Sequence, residues 1–192
     1  MMHEQQQMLN LWEQAPMRTL LSWWQELDRA RGDRAALRRC HTLAEIVLTP
    51  PFNRLRIDLS RFGRLDAGRI VRLAIVAGVL AHVMPPPDSS AIDGILARRM
   101  NGLIAQQMAA APAESPRSPV SELRFRRFLA IPEDEHEKLY TAAIRLVRLL
   151  GGTWATVDAA SLARGLYSWN QMTKQAWAFA YYDAAPATET NR

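Results

Sequence analysis

Apolar residues recur at helical spacing along most of this chain. From Pro16 to Arg31 the positions Leu20, Leu21, Trp23, Trp24 and Leu27 follow a 3.6-residue period, and Gly32 ends the run. Asp33 can cap a second helix that reaches Leu48, with Leu37, Cys40, Ala44 and Val47 as its apolar face, before Pro50-Pro51 stops it. Phe52 to Phe62 fits two periods. Leu55, Ile57 and Leu59 alternate as in a strand, while Phe52, Leu55, Leu59 and Phe62 fit a helix. No partner strand is evident elsewhere, so a short helix is expected.

Asp66 to Val83 is apolar on nearly all sides after Arg72, the pattern of a helix at the centre of a core. Another helix is expected over Ala91 to Met108. The stretch 109–119 carries Pro112, Pro116 and Pro119 among Ala and Ser and reads as a linker. Beyond it, Ser121 to Ala130 predicts a short helix. Pro132 opens the next, which has Glu133, Asp134, Glu135 and Glu137 in its first turn, where the helix dipole favours acids. It runs to Leu150 and stops at Gly151-Gly152. Asp158 starts a final helical region to Tyr182, bent near Gly165. The expected fold class is all-α: two small helical bundles, 1–110 and 120–183, joined by a Pro-rich linker at 111–119. The ends, 1–15 and 184–192, read as a flexible extension and tail.

Composition narrows the function. A chain of 192 residues, 48% of them hydrophobic, can bury a core without staples. The lone cysteine, Cys40, rules out a disulfide scaffold and a cysteine-based zinc finger. The first 15 residues are rich in Glu and Gln and do not read as a secretory signal. The longest apolar stretch, Ile70 to Met84, is broken by Arg72 and falls short of the roughly 20 residues of a membrane span. A cytoplasmic protein without a membrane partner is expected.

Charge changes the picture more. The net charge of +5 is unevenly spread. Residues 29–72 carry eleven arginines against four acids, a local net of +7, whereas the first 28 residues carry −3. Arginine outnumbers lysine 22 to 2, with only Lys138 and Lys174 as lysines. A GC-rich genome accounts for that ratio but not for the clustering. A clustered basic surface points to a polyanion, most often nucleic acid.

Catalytic signals are poor. Cys40 and His41 are sequence neighbours and do not face each other on a helix. Cys40 lies on an apolar stripe and reads as a packed thiol, and His82 as a residue at a helix C-terminus. No metalloprotease, nucleophile-elbow or phosphate-loop motif occurs. Glu133-x-x-His136 matches one element of a dimetal carboxylate bundle, but the second element such a site needs is missing. The pair reads better as a solvated first turn. No enzyme activity, metal or cofactor is expected.

The basic residues form stripes instead. Arg34, Arg38, His41 and Glu45 share a face of the expected second helix. Arg61 and Arg64, Arg69 and Arg72, and Arg124 and Arg127 pair at a spacing of three. Lys138, Thr141, Arg145 and Arg148 line one face of the long helix. Such stripes suit phosphate contacts, which carry no base information. The tryptophans Trp23, Trp169 and Trp177 fall on apolar stripes. For Trp24 and Trp154 packing is favoured, and base stacking is the alternative.

The ordered motifs resemble the CasB family, the small subunit of the type I-E CRISPR Cascade complex. Trp24-Gln-Glu-Leu27 is followed by Ala36-Leu-Arg-Arg39, then by a Pro-Phe-x-Arg-Leu element at Pro51 to Leu55 and the apolar helix bearing Arg72. After the linker come Ser121-Glu-Leu-Arg-Phe-Arg-Arg127, Ile144-Arg-Leu-Val-Arg148 and the series Asp158, Leu162, Leu166, Trp169. The resemblance spans roughly 17–183. The extension 1–15, the 109–119 linker and Gly151-Gly152 with Trp154 depart from the pattern and take no carry-over.

The resemblance implies a non-catalytic, all-α subunit that holds the displaced strand and stabilises the R-loop. Its implied partners are the large subunit, the backbone subunits, a second copy of itself, the guide RNA and the target DNA. Arg38 or Arg39 matches the family's paired arginine, Arg54 the Pro-Phe-x-Arg-Leu position, and Arg72 the basic residue of the apolar helix. Arg124, Arg126 and Arg127 match the Arg-rich helix, Arg145 and Arg148 the later pair, and Lys174 a basic position after the tryptophan. Phosphate contacts are expected from Arg34, Arg38, Arg54, Arg72, Arg124, Arg127, Arg145 and Arg148, with Arg39 and Arg126 in structural ion pairs. The alternative is a helical transcription regulator with a helix–turn–helix over Arg29 to Leu48, although that segment lacks the Asn or Gln that usually reads adenine.

Overall fold

The computed structural model describes residues 7–88, 90–98, 102–110 and 118–185. Eleven helices are present among them: α1 (Gln14–Arg29), α2 (Arg31–Arg39), α3 (Leu43–Val47), α4 (Pro50–Ser60), α5 (Ala67–Leu80), α6 (Ser90–Ala97), α7 (Leu103–Ala109), α8 (Glu122–Leu129), α9 (His136–Leu149), α10 (Ala159–Tyr167) and α11 (Gln171–Ala184). Apart from two isolated bridges, no strand pairing occurs among the described residues. The protein is all-α, and the ambiguous segment after Pro51 is helical.

Side-chain caps decide where several helices begin. Thr49, Asp66, Asp158 and Asn170 each accept a hydrogen bond from the backbone N–H three residues on, satisfying one of the donors that a helix start leaves open. The same chemistry breaks helices expected to be continuous. The one expected over 33–48 divides because Thr42 caps α3 through Glu45 N, and the Glu45 carboxylate accepts from His41 N at 2.6 Å. That exchange resembles a capping box and draws Cys40 into extended backbone. Asn170 likewise divides the last helical region at Ser168–Asn170, not at Gly165. The helix expected over 91–108 is split as α6 and α7, with Gly102 left-handed (φ +89°) before α7. Pro132 to Glu135 form a turn, and α9 starts at His136.

α5 is the centre of the molecule. Every residue from Leu73 to Leu80 is buried, so its apolar surface needs cover on all sides. α2, α3 and α4 supply it from one end of the sequence, and α9 and α10 from the other. α7 packs on α11, and α1 on α4 and α6. A single hydrophobic cluster runs from Leu9 through Trp24, Leu55, Ile75, Tyr140 and Ala163 to Trp177. The expected division into two bundles finds no boundary in this core. Residues 111–117 of the expected linker lie outside the described residues.

The expected N-terminal extension is corrected over 7–15. Leu9 N donates to Arg64 O at 3.0 Å and Arg64 N to Gln7 O at 2.9 Å, while Leu9 and Leu11 are buried in the core. Gln14 and Ala15 already belong to α1. Residues 1–6, and 186–192 of the expected tail, lie outside the described residues.

Gly165 of α10 faces the ring of Trp177 of α11. A Cβ there would stand 2.2 Å from Cζ2 of the fully buried Trp177. Gly94, exposed in α6, has no atom within 4 Å of such a Cβ. Gly165→Ala should therefore lower stability by about 1–3 kcal/mol through overpacking. Gly94→Ala should raise it by about 0.5–1 kcal/mol by restricting the unfolded chain. Urea unfolding of the two variants checks both signs.

Candidate nucleic-acid interface

α8 and α9 lie against the core by their apolar faces. On α8, Phe125 stacks on Tyr181 with ring centroids 4.0 Å apart, and Phe128 meets Trp169 and Trp177 at 5.0 and 6.0 Å. On α9, Leu139, Tyr140, Ala143, Leu146 and Val147 are buried. With these faces fixed, helical periodicity leaves Arg124 and Arg127 of α8, and Lys138, Thr141, Arg145 and Arg148 of α9, to the outside. All six line one groove of about 930 Å³ between the two helices, and Phe128, Ile131, Ala142, Leu146 and Leu149 form its apolar wall.

The connection between the helices is pinned from below. Ile131 O accepts from Trp169 Nε1 at 3.1 Å and from Lys174 Nζ at 2.6 Å, and a Glu133 carboxylate oxygen accepts from Gln171 N at 3.0 Å. Glu133 thus caps a backbone donor of α11. Among the described residues no group of three His, Cys, Asp or Glu comes together as metal ligands do.

The electrostatics of the groove are one-sided. Among the described residues that line it the one acid is Glu137, whose carboxylate accepts from Leu43 N at 2.9 Å. Lys138 pairs with Glu135 at 2.8 Å. Among the described residues, Arg124, Arg127, Arg145 and Arg148 have neither an ion-pair nor a hydrogen-bond partner. Like charges three apart on a helix cost a few tenths of a kcal/mol per pair, and an anion in the groove would reverse that term. Past Arg148 the basic surface continues to Arg38 of α2. Their shared neighbour His82 is pushed down to about 4, first by burial and then by the charges of Arg148, Arg38 and Arg34.

The other expected contacts sit elsewhere. Arg34 is only 9% exposed: its Nε donates to Ala81 O at 3.0 Å, and Nη1 approaches Met84 Sδ at 2.8 Å and Asp28 at 3.4 Å. Burial holds its guanidinium below the usual arginine range. Arg54 is ion-paired with Asp33, and Arg126 with Glu122 at 3.5 Å. Arg72 is half-buried on the side of α5 that reaches Tyr167, and Arg39 is exposed outside the groove. Lys174 is engaged with Ile131 O and lies over the Trp169 ring at 5.3 Å. Trp24 is buried and its Nε1 donates to Leu80 O and Val83 O, both at 3.0 Å. The helix–turn–helix of the alternative reading, over Arg29 to Leu48, would place α3 as its second helix, and α3 has five residues. No helix among the described residues is long and apolar enough to cross a membrane.

Arg34 and Arg145 should therefore separate by experiment. Arg34→Ala leaves Ala81 O without its buried donor and should cost about 1–3 kcal/mol in urea unfolding. Arg145→Ala, on an exposed face, should stay within about 0.5 kcal/mol of the unsubstituted chain.

Comparison with curated proteins and with solved structures gave no match. A family model does match, that of the CRISPR-associated protein Cse2, over residues 33–182. That segment contains the central helix and both walls of the groove, and the chain accordingly belongs to the CRISPR-associated Cse2 family, the CasB family of type I-E Cascade that its motifs resemble.

Proposed function

We propose that this chain acts as a non-catalytic, nucleic-acid-binding subunit of Cascade, and that the α8–α9 groove stabilises the R-loop through arginine contacts to the displaced strand and the target backbone. The carrying observation is the set of four groove arginines without acidic partners, ranged along an apolar wall. Guanidinium groups match phosphate oxygens in planar, paired hydrogen bonds and stay charged at any working pH. A guide–target heteroduplex is about as stable as the duplex it replaces, so backbone contacts of modest strength can tip the exchange. An arginine groove with apolar surface suits a single strand of any sequence, because phosphates and base faces are common to all of them. Large and backbone subunits, a second copy, guide RNA and target DNA are the partners this reading carries over from the family resemblance.

Retention of a single strand by the full-length chain across a salt series tests the groove. Each phosphate neutralised on a single strand contributes about −0.7 to the slope of log affinity against log salt. Arg145→Ala/Arg148→Ala should flatten the slope by about 1.4, and Arg124→Ala/Arg127→Ala by a similar amount. Both double variants should also bind less tightly at low salt. Unchanged slopes and affinities in both would overturn the assignment.

A further inference from the structure

Five of the six tryptophans are committed to the fold. Trp23 and Trp24 donate to backbone carbonyls, Trp169 donates to Ile131 O, Trp177 packs between Phe128 and Trp169, and Trp12 lies under the Arg164 guanidinium at 5.5 Å. Trp154 is different. It is 37% exposed, and among the described residues its ring has no hydrogen bond, aromatic partner or cation. Leaving such a ring in water forgoes the burial that Trp23, Trp24, Trp169 and Trp177 obtain, and Trp12, as exposed as Trp154, has the Arg164 cation over its ring instead.

The backbone beneath it is nonetheless fixed. Gly151 and Gly152, both left-handed (φ +86° and +62°), reverse the chain at the end of α9, and a Cβ at Gly152 would stand 3.1 Å from His82 O. Trp154 N donates to Met84 O at 2.9 Å, and Met84 N donates to Gly152 O at 2.8 Å. Thr156 N and Val157 N both donate to Thr153 O, at 3.1 and 2.9 Å. The turn is therefore stitched to segment 82–84, the same segment that lies among Arg34, Arg38 and Arg148. Met84, itself exposed, adds apolar surface at this place.

We infer that Trp154 is a stacking shelf for an unpaired nucleobase at the Arg148 end of the groove. Its ring takes the face of a base whose neighbouring phosphates lie on the arginines. A flat ring on a pre-set backbone loses little freedom on binding. Stacking accepts every base, matching a groove that reads none. The shelf rests on the strand-binding reading above, and it adds to that reading a ligand chemistry the arginines lack: recognition of a base, and hence preference for a strand with bases exposed.

The test compares two 20-nucleotide strands bound by the full-length chain and followed by fluorescence anisotropy. One is oligothymidylate; the other has the same phosphates with abasic residues in place of every nucleoside. Trp154→Ala should weaken oligothymidylate binding about tenfold, leave abasic binding unchanged and keep the salt slope. Trp154→Phe, which keeps a flat ring and the fold, should recover most of the loss. Equal losses on both strands would overturn the shelf in favour of a structural role or a protein contact, and so would no loss on either. Should Arg145→Ala/Arg148→Ala weaken both strands while Trp154→Ala weakens neither, the groove stands and the shelf falls. If neither variant alters binding to either strand, both readings fall.

Discussion

A helix buried all round needs neighbours all round, and α5 imposes that requirement on the rest of this protein. Its residues from Leu73 to Leu80 are excluded from water, and burial of each large side chain contributes about 1.5–3 kcal/mol. The helices that cover them come from both ends of the sequence, α2 to α4 on one hand and α9 and α10 on the other. Once α9 is committed to α5 through Tyr140, Ala143 and Val147, its opposite face is committed to solvent. The basic stripe of α9 is presented because the core behind it has no alternative arrangement. Tyr140 reinforces the link, donating its hydroxyl to Cys40 O at 3.0 Å across the gap between α2 and α3.

The arginines divide into two physical classes. Arg34, Arg54, Arg126 and Arg164 are held by carbonyls, carboxylates or rings of the fold. Arg124, Arg127, Arg145 and Arg148 are held by nothing described in the chain itself. Glu137, the acid among the described residues that line the groove, is turned to the N-terminus of α3, where its carboxylate meets a backbone N–H. A surface kept this free of counter-charges retains its field for an external anion. Lys174, by contrast, spends its ammonium on Ile131 O and the face of Trp169, fixing the loop that joins the two groove helices.

Much of this grouping was legible in the sequence, and the physical reason is local. Within one regular helix the spacing 138, 141, 145, 148 fixes a common face, and 124 with 127 fixes another. The helix starts at Asp66 and Asp158 stand in the sequence too, whereas the apolar stripe from Leu37 to Val47 masks the break that Thr42 and Glu45 make. The rest depended on contacts far apart in the chain. Arg34 finds Ala81 and Met84 some fifty residues away. Leu9 is held by Arg64, and α5 meets α9 across the Pro-rich segment. No periodicity carries such information. The apolar wall of the groove was hidden for the same reason: Phe128, Ile131, Leu146 and Leu149 form one surface only when the two helices are set side by side.

The central claim is that an arginine groove on this subunit holds an opened DNA strand in the assembled Cascade. The most direct measurement is the permanganate reactivity of thymines in the displaced strand, followed over time after target binding by a reconstituted complex. Complexes with the unsubstituted chain, without the chain, and with alanine at Arg124, Arg127, Arg145 and Arg148 would be compared. The account predicts that omission shortens the lifetime of the open strand and that the quadruple variant, still incorporated, reproduces that loss. A quadruple variant that is incorporated and sustains the same lifetime as the unsubstituted chain would contradict it.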